Sequence, residues 1–240
     1  MRAHRAAATT AGILYIIGTV AGVLSKVVVM PPVSGAGDPL AAGAQHSNAV
    51  VTGALLVLLM GLSLAFVPVV LFPVLRRIDE VLAIGYLVVR GAVETACYVL
   101  SALSLLLVLP AGAAIAAGPG TASPAGLRVG SLLVDSAAVG AVTALVFCLG
   151  GVMFYVLLYR SGIVPRWIAF WGLAAIPLYV AAYVLAMYAV IGTNSTPQNL
   201  LVLPLAVQEM VLAFWMIARG FRPAKASPAS EPTATSLVHA

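Results

Sequence analysis

Six long apolar runs dominate this chain of 240 residues and limit it to one kind of fold. A membrane-spanning helix needs about 20 mostly apolar residues, and each run meets that length. Strands with open edges would leave backbone groups unpaired in lipid, so we predict that the runs are helices. We number them spans 1 to 6, and they lie near residues 8–30, 48–74, 82–109, 129–158, 167–191 and 199–218. The prediction is an all-α polytopic bundle of six transmembrane helices.

The composition excludes a soluble globular protein. Hydrophobic residues make up 62% of the chain and charged residues 8%, against about 25% charged residues in soluble domains. We expect a single transmembrane domain over residues 1–222, and a disordered tail over 223–240 that is rich in Pro, Ser, Thr and Ala. The lipid bilayer is the predicted partner. A homo-oligomer or a membrane-protein partner is a further candidate, and no nucleic acid is expected.

The basic residues predict the orientation of the bundle. Short loops that carry Lys and Arg stay in the cytoplasm, and nine of the twelve basic residues fall on one side of a six-span topology. They are Arg2, Arg5, Arg76, Arg77, Arg160, Arg166, Arg219, Arg222 and Lys225. Both termini are therefore predicted to be cytoplasmic. An Ala-, Gly-, Val- and Arg-rich composition is typical of GC-rich bacteria, which suggests a multi-pass protein of a bacterial cytoplasmic (plasma) membrane.

The motifs of common membrane enzymes are missing from the sequence. Its histidines, His4, His46 and His239, lie outside the apolar runs, and no HExxH, GxSxG, Walker A or GxGxxG pattern occurs. Residues 35–38 match the GxGD of intramembrane aspartyl proteases, but Asp38 stands in a Pro/Gly-rich segment that is typical of a turn. We therefore expect no catalytic residues, no metal and no cofactor, and a non-enzymatic role.

Three charged residues inside the apolar runs are the candidate site. A charge at mid-membrane costs at least about 2.5–3.5 kcal/mol on insertion scales, so such residues are functional candidates. At about 1.5 Å per residue, Arg90 lies about 15 Å and Glu94 about 21 Å from the start of span 3 near Glu80. Glu209 lies about 15 Å from the end of span 6 near Arg219. The spacing predicts an intramembrane cluster of Arg90, Glu94 and Glu209 between spans 3 and 6.

Further polar residues near this layer are Gln208, Tyr98 and Tyr15, which are candidates for supporting hydrogen bonds. The cluster has a formal charge of −1 unless one glutamate holds a proton. Two roles stay open: a structural clip that locks span 6 to span 3, or a polar pocket for a proton, an ion or a small ligand. Asp135, near Arg128 at the end of span 4, is expected to have a solvated or interface role.

Four segments of the chain resemble one known family. They are "RAAATTAGILYIIGTVAGV", "LFPVLRRIDEVLAIGYLVVRGAVE", "YVLLYRSGIVPRWIAFWGL" and "QEMVLAFWMIARGF". They are similar to successive blocks of a bacterial integral-membrane family, domain-of-unknown-function family 4386, and the resemblance covers roughly residues 5 to 222. It implies a multispan bundle and assigns no activity.

The sequence therefore favours a membrane protein that binds a small ligand, lipid or protein partner within its bundle. The alternative is a proton- or ion-coupled small-molecule transporter that uses the layer of Arg90, Glu94 and Glu209.

Overall fold

The computed structural model describes residues 2–34, 36–116, 124–134 and 137–222. Regular secondary structure in these ranges is helical, and six helices are long and apolar enough to cross a membrane. They span His4–Val29, Ser47–Leu75, Glu80–Ile115, Pro124–Ser161, Arg166–Met187 and Thr196–Arg219. The predicted fold class is confirmed: the protein is a multispan helical membrane protein whose outer faces contact lipid. The predicted tail and Asp135 lie outside the described residues.

Spans 1 and 3 contain π-helical segments, which the sequence analysis did not predict. In span 1, the α-helix Arg2–Val23 continues as a π-helix over Leu24–Val29. In span 3, the π-helix Val89–Glu94 separates two α-helices, Glu80–Val88 and Thr95–Ala116. Short π-helical stretches of this kind occur frequently at functional sites.

The other spans are α-helical where the structure describes them. Span 4 consists of Pro124–Val134 and Ala137–Ser161, with residues 135–136 undescribed. Two short helices, Pro31–Ser34 and Pro39–Gln45, follow span 1.

The six spans pack as a closed ring. Each span contacts its neighbours in sequence, and span 6 also packs against span 1. The inner faces form the main core, which includes Tyr15 of span 1, Tyr86 of span 3 and Phe154 of span 4. Side chains that point into the ring are thus shielded from lipid by neighbouring helices.

The basic loops and the two ends of the described chain meet at one end of the bundle. Arg160 forms an ion pair of 3.2 Å with Asp79, which joins the loop after span 2 to the end of span 4. The backbone N–H of Arg222 donates to the carbonyl of Ile163 at 2.9 Å, and Gly220 lies against Arg5. We call this the basic end.

Asp38, the carboxylate of the GxGD match, lies at the opposite end and caps a helix. Its Oδ1 accepts hydrogen bonds from the backbone N–H groups of Leu40 and Ala41, both at 3.1 Å. This is the ordinary geometry of an aspartate N-cap. Residues 36–38 of the match are non-helical and directly precede the short helix Pro39–Gln45.

Gly18 and Gly22 form a GxxxG pattern in span 1, and close packing within the bundle explains it. A Cβ atom at Gly18 would lie 2.9 Å from Cγ of Leu64, and Gly22 faces Met60 of the same neighbouring span. Small residues allow two helix backbones to approach closely. In this fold the glycines bring span 1 against span 2.

Candidate functional site

Arg90, Glu94 and Glu209 lie together inside the ring. Nη1 of Arg90 lies 3.5 Å from Oε2 of Glu94, and Nη2 of Arg90 lies 3.7 Å from Oε1 of Glu209. The side chains of Arg90 and Glu94 are each 1% exposed, and that of Glu209 is 15% exposed. We call these three residues the charge cluster, and it joins span 3 to span 6.

The π-helix of span 3 positions two members of the charge cluster. Arg90 and Glu94 both belong to the segment Val89–Glu94. At the end of this segment, the hydroxyl of Thr95 donates to the carbonyl of Arg90 at 3.4 Å. This hydroxyl satisfies a carbonyl where the regular α-helical pattern is interrupted, which helps to hold the irregular turn in a dry interior.

Two aromatic rings face the guanidinium group of Arg90. Its Cζ lies 4.8 Å from the ring centre of Phe147 and 5.3 Å from that of Tyr15. Such cation–π contacts contribute about 2 kcal/mol when they are desolvated. Tyr15 therefore contacts the cluster through its ring, while its hydroxyl lies 3.5 Å from that of Tyr86. Sequence reasoning missed Phe147, because an aromatic residue in an apolar run gives no sign of its neighbour.

Tyr98 is the polar residue that bonds directly to the cluster. Its hydroxyl donates to Oε1 of Glu94 at 3.1 Å. Gly61 of span 2 leaves the space for this ring, since a Cβ atom there would lie 2.7 Å from Cβ of Tyr98.

Gln208 bonds away from the charge cluster. Its Oε1 accepts from the hydroxyl of Tyr155 at 2.7 Å, and its Nε2 donates to the carbonyl of Ile168 at 3.0 Å. Gln208 is fully buried, so these bonds fasten span 6 to spans 4 and 5. Gln208 thereby positions the adjacent Glu209.

Several polar atoms of the cluster have no hydrogen-bond partner among the described residues. They are Nε and Nη2 of Arg90 and Oε2 of Glu94. Charge-assisted N–H···O bonds are ordinarily about 2.7–2.9 Å long, and both ion pairs here are longer. A buried charged group without a hydrogen bond is costly. The cluster therefore holds donors and an acceptor side by side that make long ion-pair contacts but no hydrogen bonds.

A layer of buried aromatic rings lies on the side of the cluster that faces the basic end. Tyr86 precedes Arg90 by about one turn along span 3, and its ring stacks on Phe154 with centroids 4.8 Å apart. Phe154 also packs against Tyr15 and Tyr155. All four residues are at most 1% exposed, so these rings are closely packed on this side of the cluster.

Two other charged residues of the spans lie apart from the cluster. Arg128 is exposed at the end of the bundle opposite the basic loops, and Lys26 is exposed in the π-helix of span 1. In the described ranges, no three His, Cys, Asp or Glu side chains are grouped so that they could hold a metal ion.

A family model matches residues 10–220, which is most of the chain, and its description is "Domain of unknown function (DUF4386)". No curated protein and no solved structure matches the chain. The chain therefore belongs to the DUF4386 family.

Proposed function

We propose that the protein binds a small polar ligand at the charge cluster within the membrane. The observation that carries this proposal is a set of buried charged atoms without a hydrogen bond, Nε and Nη2 of Arg90 and Oε2 of Glu94, on side chains that are 1% exposed. Such groups are unfavourable for folding unless something else satisfies them. A protein that keeps them has an alternative use for them.

The cluster defines the chemistry of the ligand. Arg90 offers N–H donors and so selects an oxygen acceptor. Glu94 and Glu209 offer carboxylate oxygens and so select an N–H or O–H donor. A small zwitterion or a primary amide carries both groups within a few bonds. We propose a ligand of this class, with no bond made or broken by the protein.

A purely structural clip is a weaker account of the same residues. A clip stabilises best when its ion pairs close to hydrogen-bond distance and every polar atom is satisfied. Here the network of Gln208, Tyr155 and Ile168 already fastens span 6, with bonds of 2.7 and 3.0 Å. The charge cluster adds only ion pairs of 3.5 and 3.7 Å to these hydrogen bonds, and it leaves buried charged atoms without a hydrogen bond.

The basic end is proposed to face the cytoplasm of a bacterial cell, because Lys and Arg are retained on that side during insertion. The charge cluster would then be shielded from the cytoplasm by the aromatic layer of Tyr15, Tyr86, Phe154 and Tyr155.

Thermal unfolding of the purified protein with small probes tests the proposal. The probes are glycine, acetamide, acetate and methylammonium at up to 100 mM and constant ionic strength. Glycine and acetamide carry both an oxygen acceptor and an N–H donor, whereas acetate carries only the acceptor and methylammonium only the donor. At ten times its Kd, a probe stabilises the folded protein by about 1.4 kcal/mol. Glycine and acetamide should raise Tm more than acetate or methylammonium does.

Two variants separate binding from a general solvent effect. Glu94→Gln removes the carboxylate and should abolish the response to glycine. Leu100→Ala changes a side chain of span 3 that lies outside the π-helix and is 56% exposed, and should keep the full response. Identical responses of the wild type and Glu94→Gln to all four probes would refute the proposed class of ligand.

The π-helices favour one alternative, proton- or ion-coupled transport. Interrupted helices are a common feature of transporter sites, and the π-helix Val89–Glu94 holds two residues of the cluster. Transport requires that the aromatic layer open toward the basic end in a second conformation. Uptake of labelled glycine into proteoliposomes, with and without a pH gradient, distinguishes transport from binding alone.

A further inference from the structure

A pocket at the end opposite the basic loops lies next to the π-helix of span 1. Its volume is about 190 Å³. Its polar lining residues include Ser25 and Lys26 of the π-helix Leu24–Val29, and Ser101 and Ser104 of span 3. The remaining lining is largely aliphatic, with Leu105 and Val57 as examples. The pocket is therefore amphipathic and has the size of a small molecule.

The serine hydroxyls of the pocket can accept hydrogen bonds from a guest. Ser25 donates to the carbonyl of Gly53 at 3.1 Å, Ser101 to that of Cys97 at 2.9 Å, and Ser104 to that of Leu100 at 3.0 Å. Each hydroxyl oxygen keeps acceptor capacity after donating. Lys26 is the charged side chain among the described lining residues.

One face of span 3 connects this pocket to the charge cluster. Glu94, Tyr98 and Ser101 are spaced by four and three residues, which places them along the same side of the helix. At about 1.5 Å per residue, Ser101 lies about 10 Å beyond Glu94. The hydroxyl of Tyr98 reaches Glu94, so polar groups continue from the pocket to the cluster.

We propose that this pocket is the entrance through which small polar molecules reach the charge cluster. This inference rests on the proposed function, because an entrance is needed only if the charge cluster binds a ligand within the membrane. The aromatic layer is buried on the side of the basic end, whereas the polar face of span 3 leads from the pocket to the cluster. Lys26 at the mouth disfavours cations, whereas a zwitterion or an amide carries no net charge that it would repel.

Cysteine accessibility tests the route on the full chain in membranes. In a background of Cys97→Ala and Cys148→Ala, single cysteines replace Ser104, Ser101 or Tyr98. The probe is the impermeant, negatively charged reagent MTSES, applied to spheroplasts or to inverted vesicles. Leu103→Cys is the matched control, because Leu103 has almost the same depth but is 53% exposed on the outer surface of the helix.

We expect labelling of Ser104→Cys and Ser101→Cys from the side opposite the basic end, slower labelling of Tyr98→Cys, and none of Leu103→Cys. Lys26→Gln removes a positive charge from the pocket. It should therefore lower, several-fold, the ratio of the labelling rate with anionic MTSES to that with cationic MTSET at Ser104→Cys. Thr95→Cys, next to Glu94, replaces Tyr98→Cys as the deep position if that variant does not fold.

Three outcomes would overturn the entrance. They are no labelling of Ser104→Cys, labelling only from the basic end, or labelling of Ser104→Cys and Ser101→Cys with none at the deep position. The last result would show that the pocket is separate from the charge cluster. The proposed function would then still be tested by the change in Tm with glycine and the other small probes.

Discussion

Replacement of Gln208 tests how span 6 is held in the ring. Gln208→Met keeps the length of the side chain and removes two buried hydrogen bonds, one to Tyr155 and one to the carbonyl of Ile168. Side-chain hydrogen bonds between membrane helices contribute about 0.6 kcal/mol on average and up to about 1.7 kcal/mol. The loss should therefore be about 1–3 kcal/mol. For a chain of this size, that corresponds to a fall in Tm of about 3–10 °C.

A double-mutant cycle assigns this loss to the hydrogen bonds. Tyr155→Phe removes one bond and should lower Tm about half as much as Gln208→Met does. The double variant should be less destabilised than the sum of the single variants, because their common bond is lost only once. Val207→Met, at a position that is 42% exposed, is the control and should leave Tm unchanged. Additive effects, or a Gln208→Met protein as stable as the wild type, would refute the arrangement.

Two further predictions concern packing and loop contacts. Gly61→Ala should lower the free energy of unfolding by about 1–3 kcal/mol, because a Cβ atom there would lie 2.7 Å from Cβ of Tyr98 and must displace Tyr98. The variant should also respond less to glycine. Unchanged stability would contradict this packing. Asp79→Ala should cost about 1 kcal/mol, because Oδ1 of Asp79 caps span 3 by accepting from Leu82 N–H at 3.1 Å. Arg160→Ala should cost well under 1 kcal/mol, since its ion pair with Asp79 is solvent-exposed. Equal losses of stability in Asp79→Ala and Arg160→Ala, measured by thermal unfolding, would show that the ion pair and not the helix cap holds this loop.

The positions of the spans and of the charge cluster followed from general physical limits. Lipid leaves few alternatives to helices of about 20 apolar residues, and a fixed rise per residue sets the depth of a side chain. The estimate that Arg90 and Glu209 each lie about 15 Å from the same end places them in one layer of the bundle, and in the structure their side chains approach to 3.7 Å.

The details that shape the site depend on contacts between distant segments. The residues Val89–Glu94 give no sign of a π-helix, because the same residue types also form ordinary α-helices. Phe147 faces Arg90 because span 4 packs beside span 3. Gln208 likewise bonds to Tyr155 and Ile168 only because spans 4 and 5 pack next to span 6 in the ring. No local pattern of residues encodes these contacts.

The stability of Glu209→Gln tests most directly whether the charge cluster serves a ligand rather than the fold. Glutamine has nearly the same shape as glutamate, and it brings the formal charge of the cluster from −1 to zero. At 3.7 Å from Arg90, the carboxylate makes no hydrogen bond whose loss would destabilise the protein. A ligand site predicts a Tm equal to or above that of the wild type at neutral pH, with a reduced response to glycine. A Tm lower by about 5 °C or more, or roughly 1.5–2 kcal/mol, with the glycine response unchanged, would show that Glu209 is a structural clip.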